Sequence, residues 1–194
     1  MVKVFLHATG RSRVIRKITM PQSKQELDEF YSTEDPWGYY NNPHDATRKA
    51  RILAALPQRG YEAALDIGSG NGFITNALPA HQVLGLEFSE KAVAWANEHA
   101  ASHVKYVSGS LFDIPDLNLP PMDLIVITGV LYPQYLGKSI RLAYALIDSV
   151  LKPGGILLCS HIYEWYQARF PYLTLSREYF AYRGFSQVLE VYTK

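Results

Sequence analysis

A run of glycines between a strand pattern and a helix pattern is the first feature with chemical potential. Residues 64–73 read ALDIGSGNGF, so a hydrophobic run leads directly into Gly68, Gly70 and Gly72. Glycine permits the sharp turn that such a connection needs and lets a ligand lie against the backbone. The first turn of the following helix adds unpaired N–H donors. The loop therefore predicts a ligand site at the end of a strand.

Two carboxylates accompany this loop. Glu87 ends the next hydrophobic run, about 20 residues after Asp66, where a carboxylate can accept both hydrogen bonds of a ribose diol. The alternative for Glu87 is a charge at the start of the following helix. Asp66 falls inside the end of its own strand, where a buried carboxylate needs a strong partner such as an ammonium group. A ribose site fits NAD and S-adenosylmethionine (SAM) alike, whereas Asp66 favours SAM.

The elements that must position these residues alternate along the chain. Strands are predicted at 63–67, 83–88, 104–108, 124–128, 156–161 and 186–192, and helices at 72–78, 90–101, 136–151 and 176–182. Hydrophobic strands joined by helices indicate a parallel sheet that is covered on both faces. The prediction is an α/β, Rossmann-like doubly wound fold with a mostly parallel sheet of about seven strands.

The first 57 residues have a different pattern. Residues 2–8 and 14–20 are typical of a β-hairpin, and residues 23–31 and 45–56 of two helices. We expect a single domain over 1–194, with a hairpin and helical lid over 1–57 and the ligand-binding core over 58–194. Only one strand is predicted after residue 161, so residues 2–20 are expected to pair with that edge of the sheet. Pairing across a dimer interface is the alternative.

Four motifs together resemble the class I SAM-dependent methyltransferases. They are LDIGSGNG, LGLEFS, MDLIVITGVLY and LKPGG, and the resemblance extends over residues 48–184. It implies a Rossmann-like fold with SAM as the cofactor. The segments DPWGYYNNPHDATRKARILAALP and GVLYPQYL are similar to the nodulation-factor N-methyltransferases, which methylate an amine on a sugar.

The resemblance also implies roles for residues of the core. Glu87 is expected to hold the ribose and Phe88 to flank the adenine. Many relatives hold the adenine amine with an acidic residue where this chain has Ser110, so the Ser110 hydroxyl or the Leu111 N–H is expected to replace it. The residues expected at the methionine end of the cofactor are Asp66, Gly68, Ser69, Gly70 and Asn71.

Two residues of the predicted lid are further candidates for cofactor binding. Trp37 is expected to close over the cofactor, and Arg48 to pair with its methionine carboxylate. The alternative for Arg48 is a solvent-exposed helix face that it shares with Lys49 and Arg51.

Candidate catalytic residues follow the fourth and fifth predicted strands, because ligands of open α/β sheets bind at the carboxyl ends of strands. His161 is the candidate general base, since imidazole titrates near neutral pH. A packed histidine at the end of a strand is the alternative reading. Tyr132 is expected to orient the methyl acceptor or to contact the methionine end. A base is needed only where the acceptor must lose a proton.

The composition of the chain restricts the classes of partner that we expect it to bind. The formal net charge of +1 gives no field that attracts nucleic acid or an anionic membrane. The single cysteine fits a reducing compartment, and the cytoplasm is the expected location. Neither a metal-binding spacing nor a GxSxG or P-loop motif occurs in the sequence. A small-molecule methyl acceptor is the expected partner, with the protein a monomer or a homodimer.

The predicted function is methyl transfer from SAM to a nitrogen or oxygen atom of a small molecule, with an amino sugar as one candidate. A short NAD-binding oxidoreductase is one alternative. The other is a non-catalytic module on the same fold, in which the 14 tyrosines and 3 tryptophans would form a partner-binding surface.

Overall fold

One seven-stranded sheet organises the chain in the computed structural model, which describes residues 22–167 and 169–194. The strands are β1 Ala63–Ile67, β2 Gln82–Glu87, β3 Val104–Ser108, β4 Met122–Thr128, β5 Leu151–Ile162, β6 Leu173–Tyr182 and β7 Phe185–Thr193. Their order across the sheet is β3-β2-β1-β4-β5-β7-β6. The pairs among β1 to β5 are parallel, and β7 runs antiparallel to both β5 and β6. This topology confirms the predicted Rossmann-like, mostly parallel sheet.

The central strands are hydrophobic on both faces. In β4, Leu124 and Val126 belong to one hydrophobic cluster, whereas Ile125 and Ile127 belong to another. All four side chains are buried. Successive side chains of a strand point to opposite faces, so an uninterrupted hydrophobic run forms a strand with a core on either side.

Helices cover both of these faces. They are α1 Lys24–Phe30, α2 Pro43–Ala55, α3 Glu90–Glu98, α4 Pro133–Leu136 and α5 Ile140–Val150. Ile147 of α5 joins the cluster of Ile125, whereas Ile52 of α2 and Ala96 of α3 join the cluster of Leu124. Within the described ranges, no helix combines the length and apolar character that crossing a membrane requires.

The segment predicted as a helix at 176–182 is instead part of strand β6. Arg183 and Gly184 connect β6 to β7, and both have positive φ angles, of 47° and 83°. A two-residue turn with both φ angles positive matches the right-handed twist of paired strands. Antiparallel pairing with β7 therefore outweighs the local helical pattern. The helix prediction is wrong because it depended on local pattern alone.

This hairpin changes the expectation for the amino terminus. The edge beyond β5 has two strands, β7 and β6, instead of the single strand that the sequence indicated. The reason for expecting residues 2–20 to pair there is therefore removed. The predicted hairpin over 2–8 and 14–20 lies outside the described residues.

Two other predicted helices differ from the structure. The segment 72–78 contains only a 3-10 turn at Thr75–Ala77, because Gly72 has a φ of 87° and Pro79 follows closely. The segment 136–151 begins earlier, as α4, and is interrupted at Gly137, where φ is 56°. The second helix, α5, then ends at Val150.

Candidate active site

A cavity of about 1220 Å³ opens at the carboxyl ends of the parallel strands, where ligands of open α/β sheets bind. Most of the residues predicted for the site line it. They are Trp37, Arg48, Asp66, Gly68, Ser69, Gly70, Glu87, Phe88, Ser110, Leu111 and Tyr132. Two predicted residues, Asn71 and His161, are not among its lining residues.

The glycine loop passes tightly between its neighbours. A Cβ atom on Gly68 would lie 2.1 Å from Cγ2 of Val130, and one on Gly70 would lie 2.9 Å from the Tyr31 hydroxyl. The φ angles of these two glycines, 77° and 55°, are unfavourable for other residues. The Gly68 N–H donates to the Leu86 carbonyl at 2.8 Å. The loop is thus fixed to the strand ends with its surface toward the cavity.

Glu87 lies at the end of β2 and is held by backbone groups. Its carboxylate accepts hydrogen bonds from the N–H groups of Gly70, at 3.0 Å, and Ser89, at 2.9 Å. Burial raises the pKa of Glu87, and these N–H donors act in the opposite direction. Each carboxylate oxygen accepts one of the two bonds, so each retains capacity for a ligand hydroxyl. This arrangement fits a ribose diol.

Asp66 is a buried carboxylate with one unpaired oxygen. Its Oδ2 accepts a hydrogen bond from the Thr75 hydroxyl at 2.6 Å, whereas Oδ1 has no hydrogen-bond partner among the described residues. Burial raises the pKa of Asp66 to about 7, although the Thr75 hydroxyl and the nearby Arg48 oppose this shift. A ligand ammonium would pair with Oδ1 and favour the ionised form. Asp66 therefore fits the amino group of the methionine moiety of SAM.

Arg48 lies inside the structure, and the exposed helix face considered for it is wrong. Only 5% of the residue is exposed. Its Nε donates to Asp45 at 3.3 Å, and its guanidinium lies 5.2 Å and 5.4 Å from the ring centres of Tyr39 and Tyr182. No other hydrogen bond of this guanidinium involves the described residues. Its terminal nitrogens are therefore available to an anionic group in the cavity.

Arg183 ties the lid to the hairpin between β6 and β7. Its guanidinium donates to both the Asp45 carboxylate and the backbone carbonyls of Trp37, at 2.9 Å, and Gly38, at 3.3 Å. Trp37 in turn donates from Nε1 to the Tyr31 hydroxyl at 3.1 Å, above the glycine loop. The segment between α1 and α2 is therefore anchored over the cavity.

Asn71 contributes to the same anchoring. Its Nδ2 donates to the Glu34 carbonyl at 2.9 Å, and only 2% of the residue is exposed. The glycine loop directs this side chain toward the lid backbone, away from the cavity. The geometry thus gives Asn71 Nδ2 a lid contact, whereas its Oδ1 has no hydrogen-bond partner among the described residues, and the contact with the methionine end stays a prediction.

The turn that follows β3 distinguishes between the two groups expected at the adenine. The Ser110 hydroxyl donates to Asp113 at 2.9 Å and accepts from the Phe112 N–H at 3.2 Å, so it caps a 3-10 helix. Leu111 begins that helix, where an N–H has no carbonyl partner within the turn. This geometry favours the Leu111 N–H as the group that faces the adenine.

His161 lies away from the cavity. Its ring borders a separate cavity of about 110 Å³, and its Nε2 is 3.9 Å from the Glu190 carboxylate. Burial lowers the pKa of His161 to about 4, and the charge of Arg177 acts in the same direction. The next residue, Ile162, lines the large cavity, because side chains alternate along β5. The prediction of His161 as a base therefore does not fit its position, which suits the alternative of a packed strand-end histidine.

Tyr132 lines the cavity within an aromatic group. Its hydroxyl accepts a hydrogen bond from the Ile162 N–H at 2.7 Å, and its ring centre is 5.4 Å from that of Trp165. The ring centre of Trp165 also lies 5.3 Å from that of Phe185. Burial raises the pKa of Tyr132, so the hydroxyl is protonated near neutral pH and can donate to a ligand.

Gln187 also lines the cavity, and the sequence analysis did not identify it. The residue is 3% exposed, and its Oε1 has no hydrogen-bond partner among the described residues. The only signal in the sequence is a polar residue within a strand that is otherwise mostly hydrophobic. That signal becomes informative only when the position of β7 beside β5 is known.

Comparisons with known proteins agree with this geometry. The methyltransferase-domain family matches residues 60–188, which is more than half of the chain. No curated protein sequence matches the chain. The N-methyltransferase NodS from Bradyrhizobium japonicum WM9, solved with S-adenosyl-L-homocysteine, has a similar structure, with a TM-score of 0.76 and 19% identity. The match covers 88% of this chain and 97% of NodS.

A second similar structure is the magnesium protoporphyrin IX methyltransferase ChlM from Synechocystis PCC 6803, solved with bound SAM. Its TM-score is 0.63 at 16% identity, and the match covers 88% of this chain and 97% of ChlM. These likenesses show a common fold, and the family match covers the glycine loop and Glu87. The chain belongs to the methyltransferase-domain family and is a SAM-dependent methyltransferase.

Proposed function

We propose that the protein transfers the methyl group of SAM to a nitrogen of a small molecule, with an amino sugar as the first candidate acceptor. The observation that carries this proposal is the shape of the cavity. It extends from the carboxylates of Asp66 and Glu87 to the aromatic group of Tyr132, Trp165 and Phe185. A cofactor and a small acceptor would therefore share one cavity.

Residues at the glycine-loop end hold the cofactor in this proposal. Glu87 binds the ribose hydroxyls, Asp66 binds the amino group and Arg48 binds the carboxylate of the methionine moiety. Because Gly68 has no side chain, the loop packs closely against Val130, and the cofactor can lie against the loop backbone. When bound, SAM supplies an electrophilic methyl group and leaves as S-adenosylhomocysteine.

The lid and the aromatic group cover the cavity and position the acceptor in this proposal. The anchored segment around Trp37 covers the cavity and excludes water, while the packed rings fix the position of the acceptor. The electron-rich faces of Tyr132 and Trp165 stabilise the positive charge that an amine gains on methylation.

The protonation state of Tyr132 supports an amine over a hydroxyl acceptor. A tyrosine hydroxyl is already protonated near neutral pH, and burial raises the pKa of Tyr132 further, so this hydroxyl does not act as a base there. An uncharged amine attacks with its own lone pair and releases its proton to water after transfer. A hydroxyl group would need a base during the transfer. The similarity to NodS, an N-methyltransferase, points in the same direction.

The experiment compares D-glucosamine with D-glucose, which differ only in the amine. The purified protein is incubated with SAM and each sugar, and S-adenosylhomocysteine release and product mass are measured. We expect a product of glucosamine that is heavier by one methylene group, and none of glucose. Equal turnover of both sugars would contradict N-methylation, and no turnover of either would exclude glucosamine as the acceptor.

A cofactor control accompanies this assay. S-adenosylhomocysteine is titrated calorimetrically into the wild-type protein and into Glu87→Ala, with NAD as the comparison ligand. We expect S-adenosylhomocysteine to bind to the wild type and more weakly to the variant. We expect NAD to bind to neither protein. Intact binding without turnover of any amine would instead favour a non-catalytic module.

A further inference from the structure

The Gln187 side chain has an unusual combination of burial and incomplete hydrogen bonding. Its Nε2 donates to the Ser160 hydroxyl at 2.8 Å, which fixes the amide in place. Its Oε1 has no partner among the described residues, although only 3% of Gln187 is exposed. Leaving a buried acceptor unpaired is unfavourable, so such an oxygen in a cavity indicates a ligand donor.

The position of Gln187 separates it from the cofactor-binding carboxylates. It pairs with Ile162 of β5, and the Ile162 N–H donates to the Tyr132 hydroxyl. Strands β4 and β5 lie between β7 and β1, which carries Asp66. Three steps between neighbouring strands span about 14 Å at the usual spacing. Gln187 therefore lies at the acceptor end of the cavity.

We propose that Gln187 is a specificity-determining residue whose Oε1 accepts a hydrogen bond from an N–H of the reacting amine. This inference rests on the proposed function, because it assumes an amine acceptor. An amine that donates one N–H to Gln187 directs its lone pair elsewhere, and this orients the nitrogen for attack. The substrate class that follows is a primary or secondary amine, which retains an N–H.

The Ser160 hydroxyl supports this role. Ser160 is fully buried on β5, and its hydroxyl holds Nε2, so Oε1 is the amide atom that is left for a ligand donor. A longer or more mobile polar side chain would lose the orientation. Gln187 thus acts as a positioning residue at the acceptor, and the transfer itself needs no chemistry from it.

The test measures binding and does not require the natural acceptor. Two analogues of S-adenosylhomocysteine are compared, in which nitrogen replaces the sulfur and bears either a 2-aminoethyl or an n-propyl arm. The aminoethyl arm presents N–H donors toward the acceptor end, whereas the propyl arm has the same length without donors. Their affinities are measured calorimetrically for the wild type, Gln187→Leu and Gln187→Glu, with S-adenosylhomocysteine as the control ligand.

The expected result is a change in preference without a change in the affinity of the control ligand. The wild type should bind the aminoethyl analogue about tenfold more tightly than the propyl analogue, as one hydrogen bond to a buried oxygen allows. Gln187→Leu should remove this preference, and Gln187→Glu, which retains an acceptor oxygen, should keep it. All three proteins should bind S-adenosylhomocysteine equally.

Three results would overturn the inference, and they are distinguishable. A preference that persists in Gln187→Leu would remove the role of Gln187 and leave the amine proposal intact. The absence of a preference in the wild type would contradict the amine acceptor itself. If Gln187→Leu lost affinity equally for all three ligands and had a lower melting temperature, Gln187 would have a role in the stability of the fold and not in acceptor recognition.

Discussion

At the scale of single residues, the site combines buried carboxylates with glycines at positive φ angles. Asp66 and Glu87 are both buried, yet their surroundings differ. Glu87 accepts hydrogen bonds from two backbone N–H groups, whereas Asp66 accepts one from a hydroxyl and has a second oxygen without a partner among the described residues. The pKa of Asp66 is accordingly raised to about 7, so we expect this residue to make cofactor binding dependent on pH.

The first prediction concerns the variant Asp66→Asn. Loss of the negative charge should weaken S-adenosylhomocysteine binding about ten- to hundredfold at pH 8, as expected for a hydrogen bond between charged groups. Because Asp66 becomes ionised only as the pH rises through about 7, wild-type affinity should increase from pH 6 to pH 8. Calorimetry across this range should show a smaller increase for the variant. An equal pH dependence would exclude Asp66 as the group responsible.

The same shift predicts how the ligand-free protein responds to pH. The folded-state pKa of Asp66 lies above its unfolded value of 3.8, so the folded state binds more protons between pH 4 and 7. The contribution of Asp66 to stability therefore falls as the pH rises through this range. Urea unfolding of the wild type and Asp66→Asn should show the variant gaining relative stability toward pH 8. A stability difference that does not change with pH would contradict this assignment.

Gly68 gives a second test at the residue scale. Gly68→Ala places a methyl group against Val130 and forces alanine to a φ of 77°. The combined cost should be roughly 2–4 kcal/mol in the free energy of unfolding. Gly60→Ala is the matched control, because no atom of the described residues other than its chain neighbours lies within 4 Å of the added Cβ, and the φ of Gly60 is not positive. Equal unfolding midpoints for the two variants would show that the loop is looser than the structure indicates.

At the scale of elements, the β6–β7 hairpin connects the sheet to the segment between α1 and α2 that lies over the cavity. Its turn residue Arg183 reaches Asp45 of α2 and two carbonyls of the lid. The hairpin also places Gln187 beside Ile162 of β5. One two-residue turn thus positions both the lid anchor and the acceptor end.

The variant Arg183→Lys tests the anchor. Lysine retains the charge but lacks the planar arrangement of donors, so it cannot bind Asp45 and both carbonyls together. Amide hydrogen exchange in residues 34–40 should become about tenfold faster or more, and S-adenosylhomocysteine should dissociate faster. Arg51→Lys, in an exposed ion pair with Glu178, is the control and should change neither rate. Unchanged exchange in Arg183→Lys would show that other contacts hold the lid.

At the scale of the whole molecule, the cavity is shared by the lid, the sheet and the hairpin. Its lining includes Tyr31 from the lid region, Glu87 from β2 and Phe185 from β7. A ligand that fills this space contacts parts of the chain that are distant in sequence. Ligand binding should therefore stabilise the fold as a unit.

Thermal unfolding checks this expectation. At a concentration of one hundred times its Kd, S-adenosylhomocysteine should add about 2.7 kcal/mol to the free energy of unfolding. For a protein of this size the melting temperature should rise by roughly 5–10 °C. NAD at the same concentration should leave it unchanged. A comparable shift with NAD would show that the site does not discriminate between the two nucleotides.

The sequence by itself determined the parts that depend on local pattern. Hydrophobic runs such as that of β4 predicted the parallel strands, because a strand buried on both faces must be apolar throughout. The glycine loop and Glu87 were predicted because their chemistry requires particular residue types next to a strand end. The methyltransferase family followed from these motifs, and the family match confirms it.

Only the tertiary structure decided the acceptor end of the site. Strand β6 appeared helical by local pattern, and its pairing with β7 depends on contacts that a local window does not contain. The direction of His161 away from the cavity, and of Ile162 into it, depends on the register of β5 in the folded sheet. Gln187 became a candidate only when β7 was placed beside β5. The proposed cofactor contacts of the glycine loop and Glu87 lie in short, local motifs, whereas the proposed acceptor contacts come from side chains that only long-range strand pairing brings together.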